Sequence, residues 1–335
     1  MNSRLKLDVA LESWQMTAPL RISGYLMQDL QVLVVTLSDG TFKGRGEAAG
    51  VFYRNDWPVD MMIQVEGARA AIESGISRDA LRGLLPAGGA RNAVDCALWE
   101  LESMRAGVSV ASLAGVQEVG PMLTTCTVGG DTPDAMAHVA VDKYRNAQAL
   151  KLKLLGDELD AQRVISVREA RPDVWLGVDG NQGFSTEHLA SMLTVLTEAR
   201  VALIEQPFKV GEEFLLDGLD RPIPIAADES AQSLPDLAAL VGRFDAVNIK
   251  LDKCGGLTEA LLMLNEARRL GLKVMVGNMG GTSLAMAPAM VVGASCDIVD
   301  LDGPLFLTRD RVPSVVYRRG MLSATPGTWG WCASA

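Results

Sequence analysis

From residue 123 onward the chain repeats one design. Short apolar runs read LTTCTV (123–128), ALKLKL (149–154), WLGVD (175–179), VALIE (201–205), IPIAAD (223–228), DAVNIK (245–250), LKVMVG (272–277) and CDIVDL (296–301), and their starts lie 22 to 27 residues apart. Each interval has room for a strand, a loop and a helix, which is the spacing of βαβ units with parallel strands. Eight such units predict an α/β protein built on a closed (β/α)8 barrel of the TIM type. The uneven period and the unlike repeats argue against a solenoid.

The preceding segment reads as α+β. LQVLVVTLSDGTFKGRGEA sets apolar strands around Asp39-Gly40, a strong hairpin signal. In RNAVDCALWELESMRAG the positions Val94, Ala97, Leu98, Leu101 and Met104 recur at helical spacing, and Gly107 stands where a helix C-cap belongs. The predicted organisation is an α+β capping domain over 1–118, the barrel over 119–307, and a C-terminal segment over 308–335 that packs back on the cap.

Barrel strands are buried on both faces, so charges within them need a reason. Lys151 and Lys153 lie in the second run, Asp179 ends the third, Glu205 the fourth, Asp228 the fifth and Lys250 the sixth. Asp300 and Asp302 close the eighth. Barrel enzymes place their chemistry at the C-terminal ends of the strands. Alternation puts Lys151 and Lys153 on one face with Leu152 on the other, and turns Asn248 and Lys250 inward. Burying these charges costs several kcal/mol each unless they are paired or bind a metal. An internal salt-bridge network would pair them, yet leaves unexplained why all lie at one end.

Asp179, Glu205 and Asp228 come from three consecutive strands. Three carboxylates without His or Cys suit a hard cation that keeps open water positions, hence Mg²⁺. Zinc would call for His or Cys, and the only histidines, His138 and His188, fall in predicted helices. The second and sixth strands flank the acidic ones. A substrate carboxylate on the metal would therefore have Lys153 on one side and Lys250 on the other, an arrangement for taking a proton from one face of a carbon and returning it to the other. Positive charge nearby, from Lys151 and the metal, would lower a lysine toward a usable base. The metal would stabilise the enediolate formed when the proton leaves. Asp300 and Asp302 share a face beside this anionic centre and need a cation: a second metal, a protein salt bridge, or a substrate ammonium. With the last, a dipeptide fits, its carboxylate on Mg²⁺ and its ammonium on the aspartates.

A net charge of −10 gives no electrostatic reason to bind nucleic acid or an anionic membrane. The N-terminal MNSRLKLDVALESWQ lacks the apolar core of a signal peptide, and no apolar run reaches the length of a membrane span. The five cysteines, Cys96, Cys126, Cys254, Cys296 and Cys332, form no CxxC pair and read as reduced, buried thiols. A cytoplasmic enzyme is expected. A homo-oligomer is left open.

The assembled residues resemble the enolase superfamily in its muconate-lactonizing-enzyme-like subgroup, and within it the dipeptide epimerases, L-Ala-D/L-Glu epimerase especially. The likeness runs through GRGEA (44–48), LPAGGARNAVDCALWEL (85–101), KLKL (151–154), DGNQ (179–182), EQP (205–207), ADES (227–230), NIKLDKCGGLTEAL (248–261) and DLDGP (300–304). A lysine base working with Mg²⁺ on an ene-diolate is the established pattern of that superfamily. The resemblance implies Lys153 and Lys250 as the acid/base pair, Lys151 as an electrostatic helper, Asp179, Glu205 and Asp228 as Mg²⁺ ligands, and Asp300 and Asp302 as the seat of the dipeptide ammonium. Thr127 matches a strand-one threonine near the substrate, and reads equally well as a plain β-branched strand residue. In this family a mobile capping loop sets specificity, and members acting on Ala-Glu tend to carry a loop arginine. Here the loop reads APLRISGYLMQD (18–29), with Arg21 as its only cation and Tyr25 and Met27 nearer the expected place. A second loop, GVFYRNDW (50–57), brings Arg54. The second residue of the dipeptide is therefore left open: glutamate, an apolar residue or a different one. If it is glutamate, the resemblance implies recycling of cell-wall peptides. Rival reactions of the subgroup are cycloisomerisation, o-succinylbenzoate synthesis and N-acylamino acid racemisation, whose substrates bring no ammonium to Asp300 and Asp302. A non-catalytic carboxylate-binding barrel would have lost a ligand or a lysine, and none is missing.

Overall fold

A computed structural model describes residues 4–116 and 119–330; Cys332 and the predicted boundary at 118 lie outside them. The chain opens with three antiparallel strands, β1 (Lys6–Ile22), β2 (Tyr25–Ser38) and β3 (Lys43–Ala48), in that order across the sheet. The Asp39-Gly40 turn joins β2 to β3 as predicted. The Asp39 carboxylate accepts the Thr41 and Phe42 N–H groups at 2.9 and 2.8 Å, and Gly40 takes φ 94°. The sheet lies on the helix Gly89–Ala106, which ends on Gly107 in the left-handed conformation. Contact is close because Gly44 and Gly46 have no side chain. A Cβ at either would come within 2.0 Å of a helix carbonyl, Ala97 O or Ala93 O. Leu33, Val35 and Leu37 of β2 meet Val94, Leu98 and Leu101 of the helix in a core separate from that of the barrel.

After the short β4 (Met122–Leu123) come the eight strands read in the sequence: β5 (Cys126–Val128), β6 (Ala149–Lys153), β7 (Trp175–Asp179), β8 (Leu203–Glu205), β9 (Ile225–Ala227), β10 (Ala246–Lys250), β11 (Lys273–Gly277) and β12 (Ile298–Val299). They pair in parallel in chain order, as right-handed βα units stack. At the seam the Thr125 N–H donates to Val299 O at 2.9 Å, which brings the curl of the sheet round on itself. This is the barrel with an α+β cap.

Strand alternation sorts the barrel into layers. Leu150, Leu152, Val178, Ile204, Val247 and Ile249 point outward and are buried among the surrounding helices. Inward positions near the strand starts hold Leu203, Ala226, Ala246 and Met275, packed with Trp175 and Ile298 into a dry plug. Two or four residues further along these faces come charged side chains: Glu205, Asp228 and Asp300 after two, Asp179 and Lys250 after four. The plug closes them off from below, so their partners are one another, the polar groups at the strand ends and whatever enters from above. The C-terminal segment ties the units together. Its strand β13 (Val316–Arg318) pairs with β14 (Met321–Ser323), and β14 pairs with β4. Arg311 bonds Glu12 of β1 at 2.7 Å and the buried Glu47 of β3 at 2.6 Å, while the Glu47 carboxylate also accepts the Thr282 N–H from the barrel side. Burial pushes the Glu47 carboxyl up, and Arg311 opposes this.

Candidate active site

Asp179 ends β7, Glu205 ends β8 and Asp228 follows β9, and all three are buried. Each offers a carboxylate oxygen within 4.8 Å of those of the others. The backbone just past two of them is unusual. Asn181, Gln182 and Gln206 all have positive φ (41°, 65° and 32°), which side-chain-bearing residues adopt only when their surroundings enforce it. At Gln206 the enforcement is visible. Its side-chain oxygen accepts the Asp228 and Ser230 N–H groups at 2.9 and 3.1 Å, locking the end of β8 to the end of β9. The acids are thus gathered by the backbone. The donor set, all carboxylate and free of nitrogen or sulfur, fits Mg²⁺.

The two predicted acid/base lysines approach from opposite flanks. Lys153, on β6, bonds Asp179 at 2.6 Å; Lys250, on β10, bonds Asp228 at 2.6 Å. The acid-bearing strands stand between β6 and β10 in the sheet, so the lysines bracket the acids. Room for Lys250 depends on Gly277 of β11, where a Cβ would lie 3.0 Å from its Cε and 2.7 Å from Asn248 Oδ1. Asn248 donates to Glu205 at 2.8 Å and holds that carboxylate in place.

Lys151 is fully committed to protein groups. It bonds Glu205 at 3.0 Å and forms a tight ion pair with Asp300. Asp300 also accepts from the Thr125 hydroxyl. A protein salt bridge, one of the options open from the sequence, is therefore what Asp300 makes. Asp302 differs. It accepts the Thr127 N–H at 2.6 Å, yet among the described residues it has no cationic partner within salt-bridge distance. Burial and the Asp300 charge push the Asp302 carboxyl up, whereas at Asp300 the Lys151 ammonium overcomes burial and holds the carboxyl down. Thr127 lines the cavity above, so the residue whose backbone orients Asp302 also borders the space a ligand would fill.

The remaining electrostatics follow from burial and crowding of like charge. Burial, then Asp179, raises the Glu205 carboxyl to about 7. Asp228 goes the other way: Lys250 and Lys253 overcome burial and hold it well below the usual carboxylate range. Lys151 acts on Lys250 in the expected direction, but its effect does not decide the balance. Burial and Lys151 both push Lys250 down, but Asp228 and Glu205 outweigh them and hold it above its ordinary value.

Sequence reasoning overlooked several residues here. Lys253 is completely buried; its ammonium bonds Asp228 through both carboxylate and backbone oxygens at 2.5 Å and caps Asn248 O at 2.9 Å. A lysine three residues past Lys250, one helical turn on, was its only signal. Glu229 lines the cavity beside Asn181, which donates to it at 3.4 Å, and burial followed by the Asp228 charge raises its carboxyl to about 8. Tyr53 also lines the cavity, its hydroxyl accepting from Gln232 at 3.1 Å.

The segment read as a loop over 18–29 is instead the end of the β1–β2 hairpin, turning at Ser23-Gly24 with Gly24 at φ 71°. Pairing of Leu20 with Met27 and Ile22 with Tyr25 carries the ladder almost to the tip. Leu20 and Ile22 line the central cavity, so Arg21 between them turns away, and it is exposed. Tyr25 does not line the cavity; its ring stacks on Phe52 at 4.2 Å. Arg54 bonds Gln232 at 3.1 Å outside it. His138 and His188 lie on helices away from the cavity, His188 against Asp160 at 3.0 Å.

Comparison with known proteins bears on this arrangement. Residues 5–115 match the family described as mandelate racemase / muconate lactonizing enzyme, N-terminal domain, and residues 135–327 match enolase C-terminal domain-like proteins. The chain is 38% identical to L-Ala-D/L-Glu epimerase of Escherichia coli K12 over 312 residues, spanning 93% of this chain and 97% of that one. An enolase family member from Agrobacterium tumefaciens, solved with sodium and L-Ala-L-Glu bound, superposes with a TM-score of 0.93 at 38% identity, covering 97% of this chain and 100% of the other. A dipeptide epimerase from Methylococcus capsulatus, solved with Mg and L-Arg-D-Lys, gives a TM-score of 0.90 at 27% identity, covering 97% and 99%.

Proposed function

Since the chain belongs to the mandelate racemase / muconate lactonizing enzyme family of the enolase superfamily, we propose that it is an isomerase: a Mg²⁺-dependent dipeptide epimerase that inverts the α-carbon of the C-terminal residue. The observation that carries the reading is the placement of two lysines on opposite flanks of an all-carboxylate metal site, with a buried carboxylate, Asp302, that has no cation within salt-bridge distance among the described residues and lines the same cavity. A dipeptide supplies both missing partners at once. Asp179, Glu205 and Asp228 would hold the metal. Bound there, Mg²⁺ supplies Lewis-acid stabilisation of the negative charge that develops on the substrate carboxylate.

The chain's own residues do the proton work. Lys153 as a free amine takes the α-proton from one face: the Cα–H bond breaks, an N–H bond forms, and the electron pair passes into the carboxylate as an enediolate. Lys250 as an ammonium returns a proton to the opposite face, giving the other configuration. For the opposite enantiomer the roles exchange. Lys151, fixed between Glu205 and Asp300, places positive charge beside the developing anion. Asp302, oriented by Thr127 and backed by Asp300, receives the substrate ammonium. Arg21 and Tyr25, on the hairpin tip, would act from outside the cavity, at its rim.

The division into a cap over 1–118, a barrel over 119–307 and a C-terminal return over 308–335 belongs to the same reading. So does a cytoplasmic setting; no helix of the described residues is long and apolar enough to cross a membrane. Were Ala-Glu the substrate, the reaction would serve recycling of cell-wall peptides. The test is a dipeptide library in D2O with Mg²⁺, scored by mass. Deuterium should enter the C-terminal residue of a subset of dipeptides, stop when EDTA is added and resume when Mg²⁺ is restored. No uptake into any dipeptide would refute the assignment.

A further inference from the structure

We infer that the dipeptides inverted at this site carry an apolar side chain on their C-terminal residue, seated against the capping hairpin. The inference rests on the epimerase reading above and adds the substrate class to it. An α-carbon held for two-sided proton transfer has its remaining directions fixed. Its carboxylate points to the acids, its hydrogen lies toward one lysine or the other, and its amide nitrogen leads toward Asp302. Only the side chain is left, and only one wall is left for it, the one formed by the cap.

That wall is apolar. Leu20, Ile22, Met27 and Leu30 of the hairpin, with Phe52 and Phe306, line it. The pairing of Leu20 with Met27 sets these two side by side, and alternation turns Arg21 outward. The cations that line the cavity are Lys151, Lys153 and Lys250, and each is within 3.0 Å of an acid. The acid Glu229 lies on the opposite, barrel wall beside Asn181. A carboxylate side chain directed at the cap would be taken out of water with no cation to pair with, the Tyr53 hydroxyl being the polar group that the cap brings to the cavity, a loss of several kcal/mol. An aliphatic or aromatic side chain gains by the same burial.

Initial rates of α-deuterium uptake on the Mg²⁺-loaded enzyme with L-Ala-L-Leu, L-Ala-L-Phe, L-Ala-L-Glu and L-Ala-L-Lys decide the point. The apolar pair should exceed both charged substrates in kcat/KM by about tenfold or more, the discrimination an apolar pocket gives. A second arm uses Met27→Arg, which sets a cation on the wall, with Leu20→Lys as the alternative should the first not fold. Either should move the Glu-to-Leu ratio of kcat/KM toward Glu by about tenfold. Uptake that is lysine-dependent but fastest with L-Ala-L-Glu or L-Ala-L-Lys, or a ratio unmoved in both variants, overturns the inference and leaves the epimerase reading standing. Uptake in none of the four, nor in the wider library, removes the epimerase reading and the inference together.

Discussion

Across the cavity two walls face each other. The barrel wall is made of strand ends, and its charges are held in a buried lattice: Lys153 to Asp179, Lys250 and Lys253 to Asp228, Lys151 to Glu205 and Asp300. The cap wall is a hairpin face of the apolar Leu20, Ile22, Met27 and Leu30. The first wall is rigid because its lysines and the three clustered acids are fixed by one another; Asp302 and Glu229, among the described residues, pair with no cation. The second depends on side-chain shape alone and changes with single substitutions. The difference separates making the reaction from choosing its substrate. Damage to the barrel wall should therefore fall equally on every dipeptide, and damage to the cap wall should fall unequally.

The strongest way to break that contrast is at the lysines. Lys153→Ala and Lys250→Ala should each lower epimerisation by about 10²–10⁴-fold, the range of a lost general acid or base, and by the same factor for every dipeptide. Mg²⁺ should still bind, measured by calorimetry, because the three carboxylates remain. A loss that varied strongly from one dipeptide to the next would place selectivity on the barrel wall as well.

Asp302→Asn should do less. It removes a carboxylate that, among the described residues, has no cation within salt-bridge distance, while keeping an acceptor for the Thr127 N–H. A charge-assisted hydrogen bond contributes about 1.5–3 kcal/mol, so KM for free dipeptides should rise by about 10- to 100-fold, at 1.4 kcal/mol per decade. N-acetylated dipeptides, which have no ammonium, should bind with little change. Equal losses for both would show that Asp302 holds the protein and not the substrate.

The two walls were not equally legible in the sequence. The barrel wall could be read because a buried parallel strand has no ordinary place for Lys, Asp or Glu, and because a period of two fixes which face each residue takes. Asp179, Glu205 and Asp228 needed no more than that. Lys253 escaped because it stands on a helical turn after β10, where a lysine is commonplace and nothing marks it as buried. The division of labour between Asp300 and Asp302 escaped because it depends on which one Lys151 reaches across the barrel mouth, a matter of tertiary packing. The cap wall was misread as a loop with one arginine. The loop reading follows from the family resemblance, but here the tip is only two residues and the ladder runs up to it. Once the segment is a strand, alternation moves Arg21 outside and brings Leu20 and Ile22 in.

The smallest expected effect is the one that tests the cap wall most directly. Ile22 is buried, lines the cavity and pairs across the hairpin with Tyr25, so its side chain belongs to the wall while its backbone belongs to the ladder. Ile22→Ala shortens the side chain without disturbing the pairing, since alanine accepts the same extended backbone. A substrate side chain that reached Ile22 loses the contact of a few methyl or methylene groups, each contributing about 0.8 kcal/mol when fully buried. Partial burial and relaxation of the hairpin tip reduce that sum, so kcat/KM for L-Ala-L-Leu should fall by no more than about tenfold. L-Ala-L-Ala, too short to reach the wall, should be turned over almost as before. The ratio of the two substrates, measured in the same deuterium-uptake assay, is what matters. A uniform loss for both would mean that the hairpin positions the lysines' substrate as a whole. A loss confined to the larger side chain would locate substrate choice on the cap and leave proton transfer to the barrel.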